Sequence, residues 1–184
     1  MAVREQPNRL SLTAAVGLMA SLVLAGSSCA DPVIDEPIEA LGPESAKVPP
    51  GPLHRPGQPC VLCHSEEGNA ESIFTLGGTV YLDAMSDTPV GEVAVEVLDV
   101  KGNVFTTTTN CAGNFYVRPD EFTPAYPIWL ALRAGMVYRS MDTASYREGS
   151  CATCHYEPRG ASSAGRVYLI DDPTTEMPPP SGCQ

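Results

Sequence analysis

Residues 93–109 read VAVEVLDVKGNVFTTTT, and this stretch decides the fold class. Valines at every second position alternate with Ala94 and Glu96, which is the period-2 pattern of a half-buried strand. The residues 101–103 form a Lys-Gly-Asn turn sequence, and the threonines that follow favour a strand over a helix. The stretch therefore predicts two strands joined by a turn.

Similar patterns recur from residue 74 to residue 170, with turn residues between them. About seven short strands at this spacing predict a mainly β fold, an antiparallel sandwich. The predicted strands are Phe74–Leu82, Val93–Val100, Val104–Thr109, Phe115–Arg118, Ile128–Ala134, Met136–Met141 and Arg166–Ile170.

Three segments of this region resemble the carboxypeptidase regulatory-like (transthyretin-like) domain. They are residues 77–81 (GGTVY), 89–97 (PVGEVAVEV) and 109–117 (TNCAGNFYV). The resemblance covers the first half of the domain well and the rest poorly. It implies a seven-strand, prealbumin-like sandwich and no catalytic activity, because this module is an accessory or binding fold in most settings.

Length and charge narrow the function classes. A chain of 184 residues with 43% hydrophobic residues can build one modest domain with tails. Its net charge of -11 and its only two lysines, Lys47 and Lys101, exclude nucleic-acid binding, which requires a basic face.

The start of the chain has the pattern of a secretory signal peptide, which we assign to residues 1–28. A segment with two arginines precedes an apolar run at residues 10–25, which is too short for a membrane span. Cys29 then stands where a bacterial lipoprotein is cut and acylated, although Gly26 occupies a position that is usually aliphatic. We expect an outer-membrane lipoprotein facing the periplasm or the cell surface. Cleavage after Ala30 would instead give a soluble periplasmic protein.

Residues 29–53 are rich in proline and acidic residues and lack apolar periodicity. Such a segment cannot bury enough apolar surface to offset its ordering entropy. We expect a disordered, extended tether between the anchor and the domain.

Two C-x-x-C-H motifs flank the predicted sandwich, and each is the attachment motif of haem c. The first lies in a segment at residues 54–73, and the second in a loop at residues 150–158. Two cysteines at this spacing can form thioethers to one porphyrin, and the adjacent histidine can reach its iron. Two covalent haems are therefore predicted. Their attachment residues are Cys60, Cys63, His64, Cys151, Cys154 and His155.

The same cysteines allow other interpretations. A four-cysteine zinc site would use all four sulfurs but leaves the two histidines unexplained. A thioredoxin-like redox pair expects a βαβ context that the sequence lacks. Two structural disulfides would each close a strained loop.

Residues outside the motifs supply candidates for the distal ligand of each iron. His54 is the one histidine of three that lies outside the two motifs, and it could complete a bis-histidine site. Met177, in the tail at residues 171–184, resembles the methionine–proline segment of many small c-type cytochromes. Met136 and Met141 are rivals, although their strand positions favour the core.

Cys111 and Cys183 complete the cysteine count. An even remainder in an exported protein predicts a disulfide between them, with two free thiols as the alternative.

These features predict an electron-transfer protein of the cell envelope, a dihaem c-type cytochrome whose haems lie close together at one end of the sandwich. Its partners would be redox proteins such as other cytochromes, and it would be an electron carrier rather than an enzyme. A haem enzyme would require one iron with an open sixth position. A second function class is a binding or adhesion module in which haem or zinc is structural. Exposed aromatic residues drawn from Tyr126, Trp129 and Tyr138 would favour it, although Trp129 is expected in the core.

Overall fold

A computed structural model describes residues 31–44, 48 and 50–171. Apart from Asp31 and Pro32, these residues belong to one compact unit that begins at Val33. The predicted signal peptide, the lipidation site Cys29, the distal-ligand candidate Met177 and Cys183 lie outside the described residues.

The described chain is mainly β, with six strands in two antiparallel sheets. The strands are β1 Leu76–Thr79, β2 Ala94–Asp99, β3 Val104–Thr108, β4 Asn114–Val117, β5 Ile128–Ala134 and β6 Val137–Ser140. One sheet pairs β1 with β4, and the other has the order β3-β2-β5-β6. Two helices precede the strands, α1 Pro32–Ala40 and α2 Cys60–Cys63, and a 3-10 turn, Cys151–Thr153, follows them.

The hairpin of β2 and β3 confirms the two strands predicted from residues 93–109. Val95 pairs with Thr107 and Val97 with Phe105, so the side-chain alternation read from the sequence becomes an alternation of faces. Val95 and Val97 are fully buried, whereas Leu98 on the other face is exposed. A shift of the pairing by one residue would move the buried side chains to the solvent face. The register of a strand with one buried face is therefore strongly specified.

The core joins both sheets. One cluster brings Val95 and Leu132 of the four-stranded sheet against Phe115 of β4 and Val80. Each such side chain contributes about 1.5–3 kcal/mol when it is fully buried. A second cluster extends this core and consists of Leu76, Val97, Val117 and Ile128.

The two-stranded sheet has faces of different character. Leu76 of β1 points into the core, as does its partner Val117 of β4. The next pair, Gly77 and Tyr116, therefore lies on the opposite face, because successive residues of a strand alternate between faces. This outer face of β1 and β4 faces the first C-x-x-C-H segment.

The structure has six strands where seven were predicted. The predicted last strand, Arg166–Ile170, forms only a parallel bridge between Tyr168 and Tyr81. Tyr81 donates to the carbonyl of Val167 and accepts from the amide of Leu169. β1 already ends at Thr79, before Tyr81. Residues 166–170 therefore have no long strand beside them with which to form a ladder.

The predicted tether contains a helix where we expected extended chain. Helix α1 begins at Pro32, whose fixed φ suits the first turn of a helix. Asp35 lies in that first turn, where a negative charge is favourable, and Ile34 and Ile38 share one side at i, i+4 spacing. No residue of α1 is buried, and among the described residues no helix is long and apolar enough to cross a membrane.

Candidate functional site

The first motif forms a single helical turn, α2, immediately after Pro59. The His64 amide donates to the Cys60 carbonyl at 3.1 Å, which closes the turn at its C-terminal end. This one turn brings Cys60, Cys63 and His64 to the wall of the same cavity, whose volume is about 450 Å³. Ligand and cofactor sites commonly have volumes of about 300–1,000 Å³.

His64 lines this cavity, and one of its ring nitrogens is held by a main-chain carbonyl. Its Nδ1 lies 2.7 Å from the main-chain carbonyl of Ser72, so Nδ1 carries the proton and donates. Nε2 then keeps its lone pair, and none of the described residues hydrogen-bonds to it. Burial lowers the pKa of His64, and the nearby His54 lowers it further, while the Ser72 carbonyl opposes this shift. A neutral imidazole anchored through one nitrogen is the usual arrangement of a metal-ligating histidine.

A stack of aromatic rings supports His64. Phe74 lies parallel to the imidazole with ring centres 4.1 Å apart, and Tyr116 lies 4.6 Å beyond Phe74. Since two flat rings contact each other over their whole faces, Phe74 fixes the plane of the histidine.

His54 is a second ring neighbour of His64. The two imidazole planes are inclined by only 12°, and their centres are 5.8 Å apart. His54 also lines the first cavity, and its Nδ1 accepts a hydrogen bond of 3.3 Å from the Gly51 amide. His54, the candidate distal ligand from the sequence, therefore lies next to the first motif. It does not line the cavity of the second motif, which only later residues of the same chain segment reach.

The second motif has a tighter turn. The 3-10 turn Cys151–Thr153 ends where the His155 amide donates to the Cys151 carbonyl at 2.8 Å. His155 Nδ1 lies 2.9 Å from the carbonyl of Gly165, which leaves Nε2 without a hydrogen-bond partner among the described residues. Cys151 and His155 line a cavity of only about 150 Å³, whereas Cys154 is exposed and lies outside its lining.

Both motifs pack against the same two glycines of β1. A methyl group at Gly77 would lie 2.9 Å from Cβ of Cys60, and one at Gly78 would lie 2.8 Å from Sγ of Cys151. Neighbouring residues of a strand face opposite sides, so the first cysteines of the two motifs contact opposite faces of β1. Glycine is required at both positions because no side chain fits between the strand and either cysteine.

The four motif cysteines are free thiols. Burial raises the pKa of Cys60 to about 11 and that of Cys151 to about 12, so both are protonated at neutral pH. Within the part of the chain that the structure describes, no three His, Cys, Asp or Glu side chains are grouped to hold a metal ion. The four sulfurs therefore do not form the tetrahedral group that a zinc site of this kind needs.

Ser150 and Cys111 are two further features of the site and its surroundings. Ser150 Oγ, beside Cys151, is the single buried side-chain oxygen or nitrogen of the described residues without a hydrogen-bond partner. Such exceptions call for an explanation, for example a group or a water that completes the site.

Cys111 forms a disulfide, and its pairing with Cys183 stays a prediction because Cys183 lies outside the described residues.

The alternative methionine ligands lie away from both motifs. Met136 is fully exposed, and Met141 lines a separate cavity on the four-stranded sheet, so neither borders a motif cavity. The expectation that Trp129 is a core residue is wrong, because 38% of its surface is exposed. It lies on the outer face of the sheet, since Val97 and Leu130 hold the inner side.

Sequence reasoning missed the residues that support the motifs. Phe74 and Tyr116 were assigned only to strands, and the glycine pair at residues 77–78 only to a family resemblance. Adjacent glycines inside a predicted strand are the signal that could have revealed the close approach of another segment.

Comparison with known proteins adds no identification. No family model matches the chain, and no curated protein or solved structure is detectably similar to it.

Proposed function

We propose that this chain is a dihaem c-type cytochrome that carries electrons at the cell envelope. The observation that carries the proposal is a repeated arrangement. In each motif one turn joins two cysteines and a histidine, whose Nδ1 donates to a main-chain carbonyl and whose Nε2 has no hydrogen-bond partner within residues 31–44, 48 and 50–171. The remaining support is that both motifs contact one strand.

Each motif supplies a complete attachment set. Cys60 and Cys63 would form thioethers to the first porphyrin and His64 would bind its iron; Cys151, Cys154 and His155 would do so for the second. A covalently bound haem supplies an iron that accepts and donates single electrons. The protein determines how far each site is exposed to solvent. The sites differ in their second cysteine, because Cys154 is exposed whereas Cys63 is only partly exposed.

His54 is the proposed sixth ligand of the first haem. Both His54 and His64 line the first cavity, and histidine nitrogen is a common ligand of haem iron, so the two side chains could hold one iron there. The observed separation from His64 is 5.8 Å, with nearly parallel planes. Binding through Nε2 requires the proton on Nδ1, so the long contact with the Gly51 amide opens in that state. Met177, which lies outside the described residues, stays the other candidate for a sixth ligand.

The proposed role is electron transfer because two haems close to one strand need no substrate pocket to exchange electrons. The net charge of -11 suits docking to basic redox proteins, such as other cytochromes, in weak and salt-sensitive encounters. Secretion and acylation at Cys29 would hold the protein at the outer membrane. The finer fold that we propose is the prealbumin-like sandwich of the carboxypeptidase regulatory-like domain, in which the bridged segment at residues 166–170 takes the place of the seventh strand.

A pyridine-haemochrome measurement on the purified, exported protein tests the proposal. We expect two covalently bound haems per chain, which a haem stain on a denaturing gel would detect. No haem together with bound zinc would overturn the proposal. The near-infrared methionine–iron band then tests Met177.

A binding or adhesion function is the second candidate. Trp129 and Tyr138 are both exposed and line a cavity of about 500 Å³ on the outer face of the four-stranded sheet. Aromatic faces of this kind are common in glycan and protein recognition. If this function applies, Trp129→Ala abolishes retention on a glycan array while the haem count stays unchanged.

A further inference from the structure

A buried polar pair links the two sites. Thr79 and Asn114 face each other across β1 and β4, and both are almost completely buried. The Thr79 hydroxyl donates to Asn114 Oδ1 at 2.7 Å. Thr79 lines the second cavity and Asn114 lines the first, so this one hydrogen bond connects the two cavity walls.

The same pair holds the chain segment that separates the cavities. The Gly57 amide donates to Thr79 Oγ1 at 2.7 Å, and Asn114 Nδ2 donates to the carbonyl of His54 at 3.0 Å and to that of Pro52 at 3.3 Å. We call residues 54–59 the wall segment. Its main chain is thus tied to the strands at both His54 and Gly57.

The wall segment borders both cavities. His54 and Gln58 line the first, whereas Pro56 and Gly57 line the second. Gly57 has a φ of +78°, and a methyl group there would lie 2.5 Å from the Tyr81 hydroxyl, so the main chain at Gly57 packs closely against Tyr81. Its remaining freedom is limited by the Thr79–Asn114 pair.

We propose that Thr79 and Asn114 are positioning residues that hold His54 opposite His64 and keep the two haem sites at a fixed spacing. The inference rests on the proposed function for its reference to haem. Its physical basis is that a buried polar group left without its partner is strongly unfavourable, so the wall segment has one favoured position. Neither residue hydrogen-bonds to an imidazole ring. Asn114 holds the main-chain carbonyl of His54 and Thr79 holds the amide of Gly57, so both act through the main chain of the wall segment.

Three threonine variants and Asn114→Asp test this role. Thr79→Val keeps the shape of the side chain but removes the donor to Asn114 and the acceptor for Gly57. Thr79→Ser restores the hydroxyl and should restore the wild-type behaviour. Thr106→Val makes the same chemical change at an exposed position of β3 and is the matched control.

The first readout is ligation. We expect ferric wild-type protein to give the low-spin EPR signal of a bis-histidine haem. Thr79→Val should weaken that signal and accelerate the slower phase of CO binding to the ferrous protein about tenfold, since losing a buried hydrogen bond changes a local equilibrium by about that factor. Thr79→Ser and Thr106→Val should match the wild type.

The second readout needs no haem signal. Hydrogen exchange of the Gly57 amide should be faster in Thr79→Val and unchanged in Thr106→Val. Asn114→Asp keeps the acceptor for Thr79 but loses the donors to His54 and Pro52. It should therefore accelerate CO binding while Gly57 stays protected.

The outcomes separate the two proposals. Two haems per chain with unchanged CO kinetics and unchanged Gly57 exchange in Thr79→Val would overturn the positioning role alone. A wild-type protein without a bis-histidine signal would overturn the role of His54, and no haem at all would overturn the proposed function together with this inference.

Discussion

The two C-x-x-C-H sites share a motif but differ in support. The first is a helical turn beside a cavity of about 450 Å³, with Phe74 stacked on His64 and His54 facing it. The second is a 3-10 turn beside a cavity of about 150 Å³, with one of its cysteines exposed. The motif therefore determines which side chains are brought together, while the surrounding fold determines their burial and their neighbours.

This difference predicts two electronically distinct sites. Solvent exposure and the sixth ligand are the main ways in which a protein tunes a haem potential. Cys154 is the exposed cysteine of the four, and His54 lines the first cavity and not the second. If both motifs carry haem, redox titration should therefore resolve two separate midpoints.

Removing the attachment cysteines of one site at a time should have the largest effect. Cys60→Ser with Cys63→Ser, or Cys151→Ser with Cys154→Ser, should each lower the haem count from two to one. The first pair should also lower Tm more, because its cofactor fills the larger cavity. A difference of about 2 kcal/mol corresponds to about 4–8 °C at this chain length. Pyridine-haemochrome assay and calorimetry measure both effects.

Each double variant is the matched control of the other. If either one lost both haems, the two sites would not be independent. An equal decrease of Tm in the two variants would contradict the prediction that the first site contributes more to stability.

Alanine at either glycine of β1 should have an intermediate effect. Gly77→Ala pushes against Cys60 and should disturb the first site, whereas Gly78→Ala pushes against Cys151 and Phe115 and should disturb the second. Overpacking of this kind destabilises a protein by about 1–3 kcal/mol. Urea unfolding measures the loss of stability, and EPR identifies the affected haem.

Gly160→Ala is the control, because a methyl group there meets nothing within 4 Å and the backbone needs no left-handed conformation. If Gly77→Ala changed the second haem and left the first unaltered, the assignment of faces would be incorrect.

The smallest effect is expected away from both sites, at Asp99. Burial alone would raise the pKa of Asp99, but hydrogen bonds from Asn103, Ala125 and Lys101 outweigh it and lower the pKa below 3.8. The carboxylate therefore adds stability above the unfolded pKa, and this contribution is lost as pH falls through the lower folded value. In urea unfolding, the advantage of wild type over Asp99→Asn should be present at pH 7 and disappear in strong acid.

The exposed Asp120→Asn variant controls for the loss of one charge. Both haem spectra should be unchanged in Asp99→Asn. An advantage that persisted in strong acid would show that the carboxylate charge is not its source.

The sequence predicted the β fold well where burial alternates along a strand. β2 and β3 were recognisable because their valines occupy one face, and β5 and β6 because apolar runs flank a glycine turn. Residues 166–170 looked equally strand-like, but pairing depends on the length of the neighbouring strand, which local sequence does not encode. Helix α1 was missed because its proline content suggested extended chain.

The site was predictable in its chemistry and not in its geometry. The motif residues follow from their spacing, and His54 follows from the histidine count. Phe74 and Tyr116 could not be placed at His64, because that contact depends on the register of β1 with β4, which is set by residues far apart in sequence.

The contacts of β1 with the two motifs also have a consequence for the order of assembly. Cys60 precedes Gly77 by a short segment, whereas Cys151 reaches Gly78 only after most of the sheet has intervened. Contacts between residues close in sequence form at a lower entropic penalty than distant ones. We therefore expect the first motif to dock on β1 early and the second to close the fold last. Pulse-labelled hydrogen exchange would show the Gly77 region protected before the residues around Cys151. The second motif would therefore stay accessible longest to a reaction that modifies its cysteines.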